Sequence, residues 1–527
     1  MNLFYQKVKT FLKAWPFFLL LLPVFFIYSG YNELFGFLSV KFLLVNFLFI
    51  VTGTLVVLTI SFLLFRNGAK AAIFTFFFCL ICLSFGYLHD SLKQLNLSPF
   101  LTKFTGILPI LVLLFVILLI YLRKRRSSFA ELYLFLNLLF VILILSEIPN
   151  SVKRYRLDKS VHNLIDFRFN AFNEYNPLQI TPDSLKPDIY FLVFDAMASS
   201  KSLQENFGKN NYKLDTFLLQ HGFYVAADAK ANYNWTIHSL SSTFNMDYLP
   251  NWIAPVMNDP KAYFWGSASI LNNSLFSILK KEGYQTKSYQ PVSYANPDWP
   301  GLSYFNSLKE SHYYYKTLPG RIYRDVFWNY SKIDIGFIKE QQMQIIDVRN
   351  NEKKLLFDTT KALIKNSCSQ TGHPKFIYGH FMLPHEPYTF DSTGKVKTAE
   401  QTIIKHREDD AEAYFNQVVF ADKVIRELVA YIQQHNKKNT IIIVEGDHGY
   451  RTSEGNKAGY TFQNLNAVYF PDQKYEMLYD SLSPVNTFRI VLNKYFAAGL
   501  PLLKDSSTLV TQQKETIRKT EKITKQK

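Results

Sequence analysis

Residues 1–148 and the rest of the chain differ in their hydrophobic pattern. In the first part, five apolar stretches reach the ~20 residues that a helix needs to cross a bilayer, at 14–31, 42–65, 71–89, 105–122 and 129–147. Buried helices of a soluble protein are the alternative, but five stretches in succession with almost no charge inside favour membrane spans. The first stretch has the basic flank of a signal peptide but no obvious cleavage site, so we expect it to be retained. The pattern predicts a five-helix transmembrane domain over residues 1–148.

From Lys186 onward, short apolar runs typical of buried strands alternate with helical patterns. The strand-like runs are "DIYFLVF", "FYVAA", "KFIYGHFML" and "TIIIVE". The helical patterns are "YKLDTFLLQHG", "TIHSLSSTFNM" and "DDAEAYFNQVVFADKVIRELVAYIQQH". Alternation of this kind favours an α/β domain with a mostly parallel central sheet.

The same patterns suggest where the domains begin and end. We place a juxtamembrane linker at 149–186, the α/β domain at 187–503 and a basic, disordered tail at 504–527. The alternation lapses over 296–345, where "SHYYYKTLPGRIYRDVFWNY" is both aromatic and basic. This stretch is either an insertion near the membrane or the substrate, or, as we favour, ordinary surface packing.

The formal net charge of +16 would suit a nucleic-acid partner. Much of this charge, however, lies in short loops between the apolar stretches, where it indicates membrane topology instead. Nine Lys and Arg residues flank the spans on the side of the N-terminus, and three flank them on the other side. The positive-inside rule predicts a cytoplasmic N-terminus. An odd number of spans then puts the α/β domain on the extracytoplasmic, periplasmic side of the cytoplasmic membrane, and we expect no nucleic-acid partner.

Residues able to carry chemistry cluster where the predicted strands end. Asp195 follows "DIYFLVF", Asp447 and His448 follow "TIIIVE", and His385 follows "KFIYGHFML". Ligands of open α/β sheets bind beyond the carboxyl ends of the strands, and oxygen with nitrogen ligands suits a divalent metal. Thr236 begins a predicted helix, whose N-terminal N–H groups attract a phosphate or sulfate ester. A hydroxyl that contacts a divalent cation there is an activated nucleophile.

Each candidate also has a purely structural interpretation. Asp195 would cap a helix formed by "SSKSLQENFG", and Thr236 would cap its own helix. His380 lies inside its strand and is better read as a core or supporting residue. His385 lies between two prolines that stiffen its loop, and it can donate to a non-bridging oxygen or to a leaving group.

Four motifs occur in an order that resembles the alkaline phosphatase superfamily: "PDIYFLVFDA", "NYNWTIHSLSSTFNMDYL", "HFMLPHEPY" and "VEGDHG". Within that superfamily, residues 186–500 resemble sulfatase-like membrane enzymes, among them lipoteichoic acid synthases and the phosphoethanolamine transferases that modify lipopolysaccharide. The resemblance implies that Asp195, Asp447 and His448 are metal ligands. It also implies that Thr236 is the nucleophile and touches the metal, and that His385 contacts the phosphoryl group.

Two departures from the family pattern bear on the reaction. Hydrolytic sulfatases carry a C/S-x-P-x-R motif and two adjacent aspartates, whereas here Thr236 is followed by "IHSLSS" and Asp195 by Ala196. Both differences disfavour hydrolysis of sulfate esters. We find no convincing second set of metal ligands, with His380 and Glu445 as spare candidates, and therefore expect one divalent metal ion, Mn²⁺ or Zn²⁺.

Together these features predict a membrane-bound, metal-dependent phosphotransferase. Thr236 would take a phosphoethanolamine- or phosphoglycerol-type group from a membrane phospholipid and pass it to a cell-envelope glycan or lipid. The spans would hold the site beside its lipid donor. Two alternatives stay open, namely a sulfatase-like hydrolase of sulfate or phosphate esters and a non-catalytic membrane assembly factor.

Overall fold

The chain divides into two structural units. A computed structural model describes residues 2–33, 38, 40–95, 99–126, 128–152, 174–175, 186–249, 266, 269–289, 313–323, 336–404, 411–436, 439–451 and 460–510. One unit contains Met1–Ser160 and Ser307–Ile335, and the other contains Val161–Asn306 and Gly336–Lys527. Most of the predicted linker at 149–186, and residues 511–527 of the predicted tail, lie outside the described residues.

The first unit consists of apolar helices. Their bounds are α1 Asn2–Ala14, α2 Phe18–Glu33, α3 Val40–Phe65, α4 Gly68–Gln94, α5 Phe104–Lys124 and α6 Ala130–Ser146, with a one-turn helix at Pro99–Thr102. Four of these helices are long and apolar enough to cross a membrane. A fifth span requires α1 and α2 together, which meet at an angle of 88°. The prediction of an N-terminal bundle of apolar helices is confirmed, but the first span is broken at residues 15–17.

A buried asparagine explains where the first span breaks. Asn137, in the middle of α6, is fully buried. Its amide nitrogen donates to the carbonyls of Leu12 and Trp15, each at 2.8 Å, and its oxygen accepts from the amide of Phe18 at 2.7 Å. In a membrane, backbone groups freed at a break must find partners within the protein. One side chain therefore satisfies both the end of α1 and the start of α2.

The two ends of this unit carry different contacts. At one end, Lys13 at the end of α1 pairs with Glu131 at the start of α6. Lys70, at the start of α4, lies at the same end and donates to the carbonyl of Arg123 at 3.2 Å. At the opposite end, Asn32 at the close of α2 donates to a Glu147 carboxylate oxygen at 2.9 Å. The basic loops of the bundle therefore gather on one side, as the charge pattern predicts.

Residues 313–323 belong to this unit as part of Ser307–Ile335, a stretch that the other unit flanks on both sides along the chain. Tyr313 is 1% exposed and its ring packs against those of Phe26 and Phe42. Lys316 pairs with Glu33 at the end of α2, and Arg321, in the one-turn helix Leu318–Arg321, pairs with Asp90 near the end of α4. This packing corrects both our preference for surface packing and the continuous domain we expected over 187–503.

The second unit is built on a six-stranded sheet. The strands are β1 Asp188–Phe194, β2 Tyr224–Val225, β3 Gln285–Tyr289, β4 Lys375–Phe381, β5 Thr440–Glu445 and β6 Asn466–Tyr469, in the order β2-β6-β5-β1-β4-β3. β5, β1, β4 and β3 run parallel, and β6 is antiparallel to both of its neighbours. The predicted mostly parallel sheet is confirmed. Val193 pairs with Glu445 on one side and His380 on the other, so three strands end at one edge.

Helices cover both faces of this sheet. They are α7 Ser200–Phe207, α8 Tyr212–Gln220, α9 Thr236–Asn245, α10 Ser274–Lys281, α11 Gly336–Ser367, α12 Ala399–Ile404, α13 Ala411–His435 and α14 Pro484–Phe496. Alternate side chains of β1 enter two separate cores. Leu192 packs in the core that α13 covers, whereas Phe191 packs in the core that α9 and α14 cover. All seven residues of β1 are buried, as expected for a central strand.

Residues 504–510 are fixed to this unit. The amide of Thr508 donates to the carbonyl of Asn232 at 2.8 Å, and the amide of Val510 donates to the Asn234 side chain at 2.7 Å. Asp505 accepts from Ser483 at 2.7 Å. These seven residues are therefore held to the unit by hydrogen bonds, unlike the disordered tail that we predict from 504 onward.

Candidate metal centre

Three side chains meet at the carboxyl edge of the sheet. Asp195 follows β1, and Asp447 and His448 follow β5, which pairs with β1 in parallel. Each of the three is at most 4% exposed. Each also offers a ligand atom within 4.8 Å of those of the other two. The residues that the sequence sets at neighbouring strand ends thus lie together in the fold.

The three ligand atoms have the spacing of a cation site. Among the described residues, Asp195 Oδ1, Asp447 Oδ2 and His448 Nε2 are buried without a hydrogen-bond partner. The imidazole nitrogen lies 3.6 Å from each of the two oxygens. Tetrahedral ligands ~2.1 Å from a zinc ion are ~3.4 Å from one another, so the spacing fits a divalent metal. Carboxylate and imidazole ligands do not choose between Zn²⁺ and Mn²⁺.

A strained turn after β1 brings the two aspartates together. Ala196 has a φ of 65°, in the left-handed region that an alanine occupies only at a cost of about 1–2 kcal/mol. This conformation aims its amide at Asp447 Oδ1, 2.9 Å away. The hydroxyl of Tyr414, on α13, donates to the carbonyl of Ala196 at 2.8 Å. Hydrogen bonds at both its amide and its carbonyl therefore hold the strained residue in place.

A glycine allows the loop after β5 to approach this turn. A Cβ on Gly446 would lie 2.2 Å from the carbonyl oxygen of Met197. The Gly446 amide donates to the carbonyl of Leu465 at 2.8 Å, which fixes the start of the loop. Only a residue without a side chain brings Asp447 this close to the end of β1.

The orientation of His448 is set by its second ring nitrogen. Nδ1 lies 2.7 Å from the carbonyl oxygen of Gly449, so Nδ1 carries the proton and donates it. Nε2 is then unprotonated and faces the two aspartates. Metal-binding histidines are commonly oriented by such a bond to a carbonyl, so this tautomer is ready to ligate a cation.

His380 supports Asp195 from the neighbouring strand. Its Nε2 lies 3.4 Å from Asp195 Oδ2, and its Nδ1 lies 2.8 Å from the hydroxyl of Tyr378. Burial strongly raises the pKa of that phenol, so the hydroxyl donates and leaves the Nε2 proton facing Asp195. Burial works to raise the pKa of Asp195, but contact with the N–H of the His380 imidazole helps to hold that pKa below its ordinary value. Asp195 is therefore a carboxylate.

The role of Asp195 as a helix N-cap is excluded. The helix that begins at Ser200 is capped by Ser199, whose side chain accepts from the amide of Ser202 at 3.2 Å. Asp195 instead directs its carboxylate toward His380 and His448. The residue is free to serve as a ligand because another residue supplies the cap.

Thr236 is the first residue of α9, as the sequence predicts. Three residues later, the Ser239 hydroxyl donates to the backbone carbonyl of Asp447 at 2.6 Å. This bond ties the first turn of the helix to the loop that carries two of the candidate ligands. The Thr236 side chain is half-buried, and its role as nucleophile stays a prediction.

His385 lies beside the cluster and is held by its backbone. Its amide donates to the carbonyl of Asp195 at 3.1 Å, and its ring centroid is 6.4 Å from that of His448. The Lys353 ammonium, buried on α11, donates to the carbonyls of His385 and Pro387 at 3.0 and 2.9 Å. Burial lowers the pKa of Lys353 to about 7, although the negative charges of Asp195 and Glu386 act to raise it.

Three residues at the site escaped the sequence analysis. Tyr414 holds the strained turn, Lys353 holds the His385 loop, and Arg451 contacts His385 Nε2. Tyr414 and Lys353 lie on long helices, within patterns that predict only helix. Arg451 could have been predicted, because it follows the candidate ligand His448 by only three residues.

A family comparison agrees with this geometry. The Sulfatase family profile matches residues 191–492, more than half of the chain. The chain belongs to the Sulfatase family. The matched range starts in β1 and ends in α14, so it contains every element that positions the candidate ligands of the sulfatase domain. The resemblance to the alkaline phosphatase superfamily, to which sulfatases belong, is confirmed.

Solved structures similar to this chain include two periplasmic domains and one whole membrane protein. The C-terminal periplasmic domain of EptC from Escherichia coli, in complex with Zn, is 11% identical, covering 63% of this chain and 92% of that one, with a TM-score of 0.37. The periplasmic domain of phosphoethanolamine transferase EptC from Campylobacter jejuni is 12% identical, covering 60% and 92%, with a TM-score of 0.33. The integral membrane lipooligosaccharide phosphoethanolamine transferase A from Neisseria meningitidis is 13% identical, covering 91% and 95%, with a TM-score of 0.36.

A search of curated proteins found no match. The family is therefore what the comparisons establish for this sulfatase domain. Together with the N-terminal apolar helices, they describe a membrane-anchored Sulfatase-family enzyme with a buried group that fits a metal.

Proposed function

We propose that this protein is a membrane-bound, metal-dependent phosphotransferase. It moves a phosphoethanolamine- or phosphoglycerol-type group from a membrane phospholipid to a glycan or lipid of the cell envelope, through a covalent intermediate on Thr236. The observation that carries the proposal is the cluster of Asp195, Asp447 and His448, whose three free ligand atoms lie beside the helix that Thr236 begins.

The chemistry follows from the residues at the site. Asp195, Asp447 and His448 would hold one divalent ion, which lowers the pKa of a hydroxyl and stabilises negative charge when bound. The Thr236 oxygen forms a bond to phosphorus as the bond between phosphorus and the diacylglycerol oxygen breaks. The threonine hydroxyl loses its proton, and the departing diacylglycerol oxygen gains one. The N-terminal end of α9, which Thr236 begins, would stabilise the developing negative charge.

The second half of the reaction returns Thr236 to its starting state. A hydroxyl of the acceptor attacks phosphorus and gives up a proton, and the threonine oxygen leaves and is protonated. The buried carboxylates and the backbone bonds around His385 keep the site in one geometry through both steps. Holding the reacting groups in one geometry in this way accounts for much of the rate acceleration in a transfer reaction.

Two features favour phosphoryl transfer over sulfate hydrolysis. A threonine stands where hydrolytic sulfatases have the cysteine or serine of their C/S-x-P-x-R motif. Ala196 stands where hydrolytic sulfatases have a second aspartate, so this position supplies no further carboxylate. Its backbone amide donates to Asp447 instead. A single metal and an unmodified hydroxyl suit transfer between alcohols.

The predicted membrane topology suits a lipid donor. The basic loops gather at the Lys13 and Lys70 end of the bundle, which the positive-inside rule assigns to the cytoplasm. Residues 313–323, which come from the catalytic half of the chain, pack at the Glu33 and Asp90 end. We therefore infer an extracytoplasmic, periplasmic catalytic domain in the cytoplasmic membrane.

The test is mass spectrometry of the intact full-length protein after exposure to phospholipids with isotopically labelled head groups. We expect the zinc-loaded wild type to gain the labelled phosphoryl group on the peptide that contains Thr236. Thr236→Ala should gain none, and Thr216→Ala, which alters an exposed threonine on α8, should behave as wild type.

Other outcomes would decide for the alternatives. Release of the phosphoryl group to water, with no transfer to any added glycan or lipid alcohol, would favour a hydrolase. A metal-loaded protein that forms no adduct and turns over neither lipid nor sulfate ester would contradict the proposal and favour an assembly factor.

A further inference from the structure

Arg451 occupies a position that the metal cluster does not explain. Its guanidinium carbon lies 4.2 Å from the centroid of the Trp235 ring, which is a close cation–π contact. Trp235 is the residue immediately before Thr236 and forms the N-cap of α9. One guanidinium nitrogen, Nη2, contacts His385 Nε2. The cation is thus held between the start of the nucleophile helix and the loop that follows β4.

The contact with His385 orients the arginine. His385 Nδ1 faces the carbonyl oxygen of Glu386 and donates its proton there. Nε2 then accepts from the guanidinium, so the side chain of Arg451 lies between this ring and the start of α9.

The other terminal nitrogen of Arg451, Nη1, does not take part in these contacts. Nη1 is buried, and among the described residues it has no hydrogen-bond partner. A buried donor without an acceptor costs on the order of 1–3 kcal/mol, more when charged, so native proteins rarely leave one unpaired. An arginine also offers its donors in a planar fork that matches two oxygens of a phosphate. The free donor therefore calls for an anionic oxygen.

We propose that Arg451 binds a non-bridging oxygen of the phosphoryl group that Thr236 attacks, with Trp235 holding the guanidinium plane in place. This role rests on the proposed phosphotransferase function and makes Arg451 the residue that recognises the anionic ester. His385 then lines the site and also orients the arginine through its contact with Nη2. A purely structural arginine, in contrast, would affect stability and leave anion binding unchanged.

The experiment uses zinc-loaded full-length protein and two measurements. The first is the dissociation constant of inorganic phosphate, and the second is kcat/KM for the labelled phospholipid donor. In Arg451→Gln we expect phosphate binding to weaken at least tenfold and kcat/KM to fall on the order of a hundred- to a thousandfold, as when one donor to developing charge is removed. Zinc content should not change. Arg451→Lys should recover part of the phosphate affinity, because it keeps the charge but not the fork.

Arg426→Gln is the matched control, since Arg426 pairs with Asp422 along α13, and it should match wild type in both measurements. The proposal is overturned if Arg451→Gln binds phosphate within threefold of wild type with its zinc retained. If Arg451→Gln loses its zinc, Arg451→Lys decides, and unchanged phosphate affinity there overturns the proposal. Failure of Thr236→Ala to prevent adduct formation would instead count against the proposed function, because the phosphate measurement does not depend on the adduct.

Discussion

Asn137 in the membrane unit and the Asp195 cluster in the catalytic unit are both polar and both buried, yet they are satisfied differently. Asn137 makes three hydrogen bonds, all to backbone groups of its own unit. Asp195, Asp447 and His448 each keep one buried atom without a partner among the described residues. Buried polar atoms are usually paired, so the complete set indicates structure and the incomplete set indicates a ligand. The substitutions below test this difference, beginning with the largest expected effect.

Asp447→Asn keeps the shape of the residue and its acceptor bonds from Ala196 and His448 but removes the charge. We expect kcat/KM to fall on the order of a thousandfold, because metal stabilisation of charge provides several kcal/mol. Wild type in zinc at a hundred times its dissociation constant should gain about 2.7 kcal/mol in free energy of unfolding, and the variant little.

Thermal unfolding with zinc and with a chelator measures this difference for Asp447→Asn. In chelator the variant should be the more stable protein, because it removes one of two buried like charges. A wild type indifferent to both zinc and chelator would mean that the free atoms bind no metal.

Gly446→Ala tests the close approach that forms the cluster. The added Cβ would lie 2.2 Å from the carbonyl oxygen of Met197, so the loop must move and carry Asp447 with it. We expect zinc affinity to drop tenfold to a hundredfold, the usual range for disturbed supporting groups. Gly53→Ala, on α3, adds a Cβ with nothing within 4 Å and should leave zinc affinity alone. Equal affinities in the two variants, measured by competition with a zinc indicator, would contradict the prediction.

Asn137→Leu tests the satisfied side of the comparison. It removes three hydrogen bonds at the break before α2, each worth about 0.6 kcal/mol on average between membrane helices, so we expect a loss of about 2 kcal/mol. Asn46→Leu removes one bond within α3 and should cost much less. Chemical unfolding in detergent measures both, and zinc affinity should not change. A shift in zinc affinity would mean that Asn137 is more than structural.

Tyr414→Phe should have the smallest effect. It removes the hydroxyl that donates to the carbonyl of Ala196 and accepts from the amide of Ala198 at 3.2 Å. We expect a loss of about 1–2 kcal/mol in stability and a decrease in zinc affinity of less than tenfold. Tyr212→Phe, at an exposed tyrosine of α8, serves as the control. A zinc affinity equal to that of the control would show that the Ala196 turn holds its shape unaided.

The elements and their order could be predicted because they depend on local pattern. The buried run of β5 and its end before Asp447 follow from consecutive branched aliphatic residues, and the start of α9 at Thr236 follows from its helical pattern. Parallel strands end at the same edge, so the sequence also implied that Asp195 and Asp447 would be neighbours. The composition of the membrane bundle followed from hydropathy in the same way.

The supporting contacts could not be predicted because they join positions far apart in the chain. Tyr414 reaches Ala196 across more than two hundred residues, and Asn137 reaches the break near Trp15 across more than a hundred. The residues around Ala196 do not reveal its left-handed backbone, because the groups that bind its amide and its carbonyl, on Asp447 and Tyr414, are far away in the sequence. The packing of Tyr313 among membrane helices was missed for the same reason.

The inclusion of residues 313–323 in the helical bundle has a practical consequence for preparing the enzyme. Cutting the chain before β1 to obtain a soluble fragment would strip the cover from Tyr313 and leave Lys316 and Arg321 without their acidic partners. The apolar ring of Tyr313 and the charges of Lys316 and Arg321 would then be exposed to water next to one another, and exposed apolar surface of this kind promotes aggregation. A useful secreted fragment would need residues 313–323 replaced by a polar loop, and not merely the helices removed.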